Sequence, residues 1–136
     1  SELAVWSGAN VSGVDLDHFC ELCGHTAHRE NMERIYRDVR DSAYEIIEKK
    51  GATYYGIAAT VKRIALCIVR DEHSVLPVST QLGGLYGVED LCMSVPTVVG
   101  RAGAERVLEI ELSPEERQAF HASAVTLRQV ADELGL

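Results

Sequence analysis

Between residues 29 and 50 the apolar positions Met32, Ile35, Tyr36, Val39, Ala43, Ile46 and Ile47 recur at spacings of three and four, with charges between them. That is the period of a helix with one apolar stripe. Lys49 and Lys50 complement the negative end of its dipole, and Gly51 supplies the stop. Thr53 stands where it can cap a second helix, which carries Ile57, Val61, Ile64, Ala65 and Ile68 through about Arg70. This second helix is apolar over more than one stripe, so it is expected to be deeply buried or pinned between two bodies.

The period then changes. Residues 75–80 read as a strand, which Pro77 confines to an edge or a bulge. Gly83, Gly84 and Gly87 mark a loop, residues 92–99 a second strand containing Pro96, and residues 100–103 a turn. Leu108, Ile110 and Leu112 alternate with Glu109 and Glu111, which predicts a half-buried strand over 107–112 paired in an antiparallel hairpin with its predecessor. Ser113-Pro114-Glu115-Glu116 is a strong helix start: the serine accepts from the third amide, Glu116 reaches back, and proline suits the first helical position. Phe120, Ala124, Leu127, Ala131 and Leu134 then share one face. Towards the N-terminus, residues 3–14 read as short strand-like pieces and residues 17–22 as a short helix. The expected architecture is a single α+β domain over residues 1–136, with long helices packed on a small antiparallel sheet.

Composition narrows the partners. A length of 136 residues suits one domain with a real core, and 46% hydrophobic with 25% charged residues is ordinary for a soluble protein. A net charge of −8 argues against nucleic acid, because phosphate neutralisation needs clustered Lys and Arg. No apolar run approaches the roughly 18–20 residues that span a bilayer. Cys20, Cys23, Cys67 and Cys92 form no obvious disulfide framework, so free thiols in a reducing cytoplasm are expected.

One cluster has the chemistry of a metal site. Cys20, Cys23, His25 and His28 combine C-x-x-C with H-x-x-H, and thiolate and imidazole are good zinc ligands. Only Gly24 separates the two pairs, which makes simultaneous tetrahedral binding difficult, so a surface loop and short helix without metal is the expectation. His73 and His121 have no partner visible in the sequence and are expected to be solvated.

Several segments, in order and spacing, are similar to a known family. They are Val5-Trp6-Ser7-Gly8-Ala9-Asn10-Val11, Asp41-Ser42-Ala43-Tyr44-Glu45-Ile46-Ile47, Lys50-Gly51-Ala52-Thr53-Tyr54-Tyr55-Gly56-Ile57-Ala58, Leu76-Pro77-Val78-Ser79-Thr80, Gly84-Leu85-Tyr86-Gly87, Ser94-Val95-Pro96-Thr97-Val98-Val99-Gly100 and Leu112-Ser113-Pro114-Glu115-Glu116. Together they resemble the C-terminal, substrate-binding domain of the bacterial-type L-lactate dehydrogenases, in the lactate/malate dehydrogenase family. Residues 15–30 match least.

The resemblance implies the reversible reduction of pyruvate by NADH to L-lactate, a homodimer or homotetramer whose subunits meet across the 29–50 helix, and a cytoplasmic location. It makes Thr53 the wall beside the substrate's short alkyl group, Ala43 a second small residue of that pocket, and Ile57 the residue against the nicotinamide ring of NAD. Tyr44 falls where some bacterial members carry phosphotyrosine, although a buried or half-buried tyrosine is the reading of the residue itself. Taken alone, Thr53 reads as a helix cap, and Ala43 and Ile57 as core.

Other family parts have no counterpart among these residues. There is no Gly-x-Gly-x-x-Gly after a strand, so the N-terminal Rossmann domain that binds NAD is absent from this chain. The carboxylate-clamping arginine, the arginine-bearing loop, the aspartate–histidine pair and the fructose 1,6-bisphosphate site are likewise missing. Ser1 is expected to be the serine that follows Gly-Glu-His-Gly-Asp in this family, placing the acid/base histidine upstream of it. The 136-residue chain alone is therefore expected to be inactive. Two other readings stay open: the domain of an L-2-hydroxyisocaproate or lactate-like malate dehydrogenase, and a stand-alone binding module using the Cys/His cluster as a metal site.

Overall fold

A computed structural model describes residues 2–24 and 28–135. Ser1 and His25 lie outside the described residues. The contacts divide the chain into two compact units, Ala4–Thr60 and Ser1–Leu3 with Val61–Leu136.

The first unit opens with a two-residue hairpin joining β1 (Asn10–Val11) to β2 (Val14–Asp15). Ser12 and Gly13 both have positive φ, 53° and 85°, the backbone that matches the twist of paired strands in so tight a turn. Helix α1 (Leu16–Leu22) follows, then α2 (His28–Lys50). Gly51 ends α2 as expected, with φ 79° and its N–H donated to the Ile47 carbonyl at 2.7 Å. Ion pairs run along α2: Arg34–Asp38, Arg40–Asp41 and Glu45–Lys49. No residue of α2 is buried.

Helix α3 (Tyr55–Arg70) starts in this unit and continues in the other. Of the two expectations for it, deep burial within this chain is corrected, since only Cys67 is fully buried while Ile57, Val61 and Val69 are 60–76% exposed; an apolar helix pinned between two bodies is the reading left. The apolar surface is there, as the sequence shows, but this chain does not cover it.

In the second unit, β3 (Ser74–Gln81), β4 (Cys92–Gly100) and β5 (Gly103–Val107) form one antiparallel sheet in that order. Pro77 is thus on an edge strand, as expected, and it sits opposite Pro96. Neither proline has an N–H, so the two missing donors share one rung. Helix α4 (Pro114–Leu134) carries the full capping box: the Ser113 hydroxyl accepts from the Glu116 N–H at 3.2 Å, and the Glu116 carboxylate accepts from the Ser113 N–H at 2.9 Å. Its Phe120 and Ala124 join Leu82, Tyr86, Val88, Met93 and Val95 in the core, while Leu127 and Leu134 stay exposed.

The strand expected over 107–112 is displaced. β5 ends at Val107, and the ladder continues only through the Leu108 N–H to the Pro96 carbonyl at 2.8 Å. Pro96 has no N–H to return. The Tyr86 hydroxyl takes over, donating to the Leu108 carbonyl at 3.5 Å and accepting from the Ile110 N–H at 2.8 Å. The alternation of Leu108, Ile110 and Leu112 still describes half-buried, extended chain, but a side chain instead of a strand holds it.

The α3–β3 turn is tied by Arg63, which donates to the Glu72 carboxylate at 2.5 Å and to the Ser74 hydroxyl at 2.9 Å. The Arg63 hydrogen bond holds the Glu72 carboxyl below its ordinary range. A carboxylate with a depressed folded-state pKa stabilises above its unfolded pKa and loses that effect as pH falls through the folded value. Glu72→Gln should therefore lower Tm at neutral pH, with the difference from the unmodified chain shrinking below about pH 4.3. Thermal melts across pH test this; a difference that persists undiminished in acid would contradict it.

Candidate functional site

The segment 43–57 was singled out in the sequence, and the fold sets its parts on two elements. After the Gly51 turn, Thr53 is half-buried just before α3. The first helical bond runs from the Ala58 N–H to the Tyr54 carbonyl at 2.8 Å, so Tyr54 holds the N-cap position. Thr53 lies one residue outside it, which corrects the expected cap. Tyr54 and Tyr55 have ring centroids 5.0 Å apart and are both exposed.

Ile57 is in the first turn of α3 and 62% exposed, so it is not the core residue its type implies. Ala43 is exposed on α2. Tyr44 beside it is 72% exposed, which corrects the expectation of a buried or half-buried ring. Thr53 and Ile57 are brought together at one helix start; Ala43 stays on a separate helix. Ile57 and Ala43 are exposed and Thr53 is half-buried.

Around Ala43 on α2 the electrostatics favour fixed charge over proton transfer. The Arg40 hydrogen bond holds the Asp41 carboxyl below its ordinary range, and Lys49 does the same for Glu45. Carboxylates so held are ionised at neutral pH and donate no proton. Asp41 and Glu45 are therefore fixed charges on α2 and not proton donors.

Among the described residues, His18 pairs with Glu21 one helical turn on at 3.6 Å, and two further histidines have partners more distant in sequence. His28, first in α2, sits 2.6 Å from an Asp17 carboxylate oxygen on α1. His73 is in an exposed loop, as expected, and there it lies between Asp71 and Glu105, at 3.7 Å and 3.3 Å. Partners 11 and 32 residues away in sequence leave no local signal. Of the cysteines, Cys20 is half-buried, Cys23 and Cys92 are exposed, and Cys67 is buried with its thiol on the Val99 carbonyl at 3.0 Å. A groove of about 300 Å³ lies between the 87–91 loop and α4, where Arg128 donates to the Glu89 carbonyl. None of the described helices is long and apolar enough to cross a membrane.

The fold and the order of these segments define a class. The chain belongs to the lactate/malate dehydrogenase family, whose α/β C-terminal domain it matches over residues 1–134. Over its full length it is 48% identical to the L-lactate dehydrogenase of Thermoanaerobacter sp. (strain X514), of which it spans 44%. To the L-lactate dehydrogenase of Bacillus caldolyticus it is 48% identical over 130 residues, 96% of this chain and 41% of that protein. The minor L-lactate dehydrogenase of Enterococcus mundtii, solved in a ligands-bound form, superposes with a TM-score of 0.90 at 36% identity, over 96% of this chain and 41% of that one. The chain thus spans less than half the length of the relatives it matches.

Proposed function

We propose that this chain is the substrate-side domain of an NAD-dependent L-lactate dehydrogenase, working with its own NAD-binding domain to reduce pyruvate to L-lactate. The observation that carries the proposal is the 48% identity to an L-lactate dehydrogenase sustained across every residue of the chain. The open apolar faces of α2 and α3 support it. Ile35, Val39, Ile46, Ile47, Ile57 and Val61 are too exposed to be left in water in the working protein. An NAD-binding domain on one side and a second subunit on the other would cover them, as a cytoplasmic homodimer or homotetramer.

The nicotinamide ring supplies a hydride to the substrate carbonyl carbon. Ile57, an apolar side chain at the start of α3, packs against that ring and keeps water from the transfer. Thr53 closes the space beside the methyl group of a small 2-oxo acid. Its β-branched side chain has few rotamers, so it bounds the space firmly. Ala43 leaves room on the α2 side. The proton donor is the histidine that the family likeness places outside these residues; Asp41 and Glu45, held as carboxylates by Arg40 and Lys49, do not take its place.

Thr53→Gly in the protein containing both domains should raise kcat/KM for bulkier 2-oxo acids relative to pyruvate by at least about 10-fold, since one methylene is worth about 1–3 kcal/mol in such a pocket. A ratio unchanged across a size series of 2-oxo acids would remove Thr53 from the wall. A preference of the unmodified protein for branched 2-oxo acids or for oxaloacetate would replace lactate by L-2-hydroxyisocaproate or malate as its product.

A further inference from the structure

We propose that Asp71, His73 and Glu105 form a surface site for a zinc-class divalent cation that staples the α3–β3 turn to β5. Ligand atoms of the three side chains lie within 4.8 Å of one another. The His73 Nε2 to Glu105 Oε2 distance is 3.3 Å. Two ligands on one tetrahedral zinc, with bonds of about 2.0–2.1 Å, stand roughly 3.4 Å apart. That pair therefore already spans one edge of a coordination tetrahedron, and the Asp71 carboxylate, with a ligand oxygen within 4.8 Å of the others, supplies the third corner. Water completes the fourth.

The far side of each ligand is held by the backbone. His73 Nδ1 lies 3.0 Å from the Asp71 carbonyl, which makes Nδ1 the donor and leaves Nε2 its lone pair for a metal. Asp71 Oδ1 accepts the Arg101 N–H at 2.8 Å, and Glu105 Oε1 accepts the Ala102 N–H at 3.3 Å. This is the outer-shell support that orients metal ligands. The backbone is also bent to make it: Asp71 and His73 both sit in the left-handed region, at φ 55° and 49°, where non-glycine residues are strained. Gly100 clears the space beneath, since a Cβ there would stand 2.5 Å from Glu105 Oε1 and 3.1 Å from His73 Cδ2.

The donor set selects the ion. One imidazole with carboxylates suits zinc, nickel or cobalt, whereas magnesium favours all-oxygen, octahedral surroundings. The competing charge is Arg101, whose guanidinium approaches the Asp71 carboxylate to 3.9 Å but is 77% exposed and free to turn into solvent.

The test uses untagged, chelator-stripped chain titrated with zinc against a chromogenic indicator. Cys20→Ser and Cys23→Ser are built into every sample, so the thiol–histidine segment cannot answer for this site. One zinc per chain with micromolar affinity is expected, indifferent to excess magnesium. His73→Ala and Glu105→Gln should each weaken it at least about 10-fold. Gly100→Ala should weaken it too, by displacing Glu105. Circular dichroism confirms that each variant is folded. Absence of zinc uptake at micromolar concentration, or uptake unaltered by His73→Ala and Glu105→Gln, would overturn the site and leave His73 as a proton-bridged contact between two carboxylates.

Discussion

Mixed with NADH and pyruvate, the 136-residue chain on its own is expected to oxidise no NADH above the uncatalysed rate. Hydride transfer needs three things together: a bound nicotinamide, a proton donor at the carbonyl oxygen, and a site closed to water. On the proposed reading, Thr53 and Ile57 offer a part of the third. Its glycines form no Gly-x-Gly-x-x-Gly after a strand, the turn that cradles a pyrophosphate in dinucleotide-binding folds. Asp41 and Glu45 are held ionised by Arg40 and Lys49. Among the described residues, His18 faces Glu21, His28 faces Asp17, and His73 faces Asp71 and Glu105, so each is already engaged by a carboxylate. Ile57 stands 62% open to solvent, where a transferred hydride would compete with water. The check is NADH absorbance with the chain in large excess over any trace contaminant. Oxidation that depends on pyruvate and scales with chain concentration would move the acid and the cofactor site onto this domain.

Phe120→Ala should cost about 3–5 kcal/mol of folding free energy, the usual penalty for removing a buried aromatic ring and leaving its space. Phe120 is 7% exposed and joins α4 to the core, with its ring centroid 5.0 Å from that of Tyr86. Tyr86 in turn holds the chain at Leu108 and Ile110 through its hydroxyl. Loss of the ring therefore loosens α4 and frees the clasp that replaces a strand. Against a net stability of about 5–15 kcal/mol for a domain, such a loss removes a large share. Urea denaturation should show a lowered midpoint with little change in slope. A loss below about 1 kcal/mol would mean that α4 is not anchored through this ring.

Much of the local structure could be read from the chain because its causes are local. The spacing of Met32 to Ile47 gives α2, which the fold extends by one residue to His28. Gly51 stops it, and Ser113 with Glu116 starts α4 through two reciprocal hydrogen bonds three residues apart. The family likeness was also legible, since it rests on the order of short segments, and the match over residues 1–134 bears it out. Misreadings cluster where a distant group decides. Thr53 looks like a cap, but the chain turns into α3 one residue later. Residues 107–112 alternate like a strand, but the partner strand offers Pro96, which cannot return a hydrogen bond. Tyr44 is typed as a half-buried residue, yet the face that carries it is open.

By itself, then, the sequence determined the long helices, the Gly51 stop and the Ser113 start, the α+β class and the family likeness. The elements follow from periodicity, capping and turn chemistry within a few residues, and the likeness from the order of short segments. Only the tertiary structure decided what each face meets. It set His73 between Asp71 and Glu105, put Tyr86 in place of a strand, and left α2 and the start of α3 uncovered. Burial and ion pairing depend on which surfaces the fold brings within a few ångströms, and separations of tens of residues carry no trace of that in the local pattern.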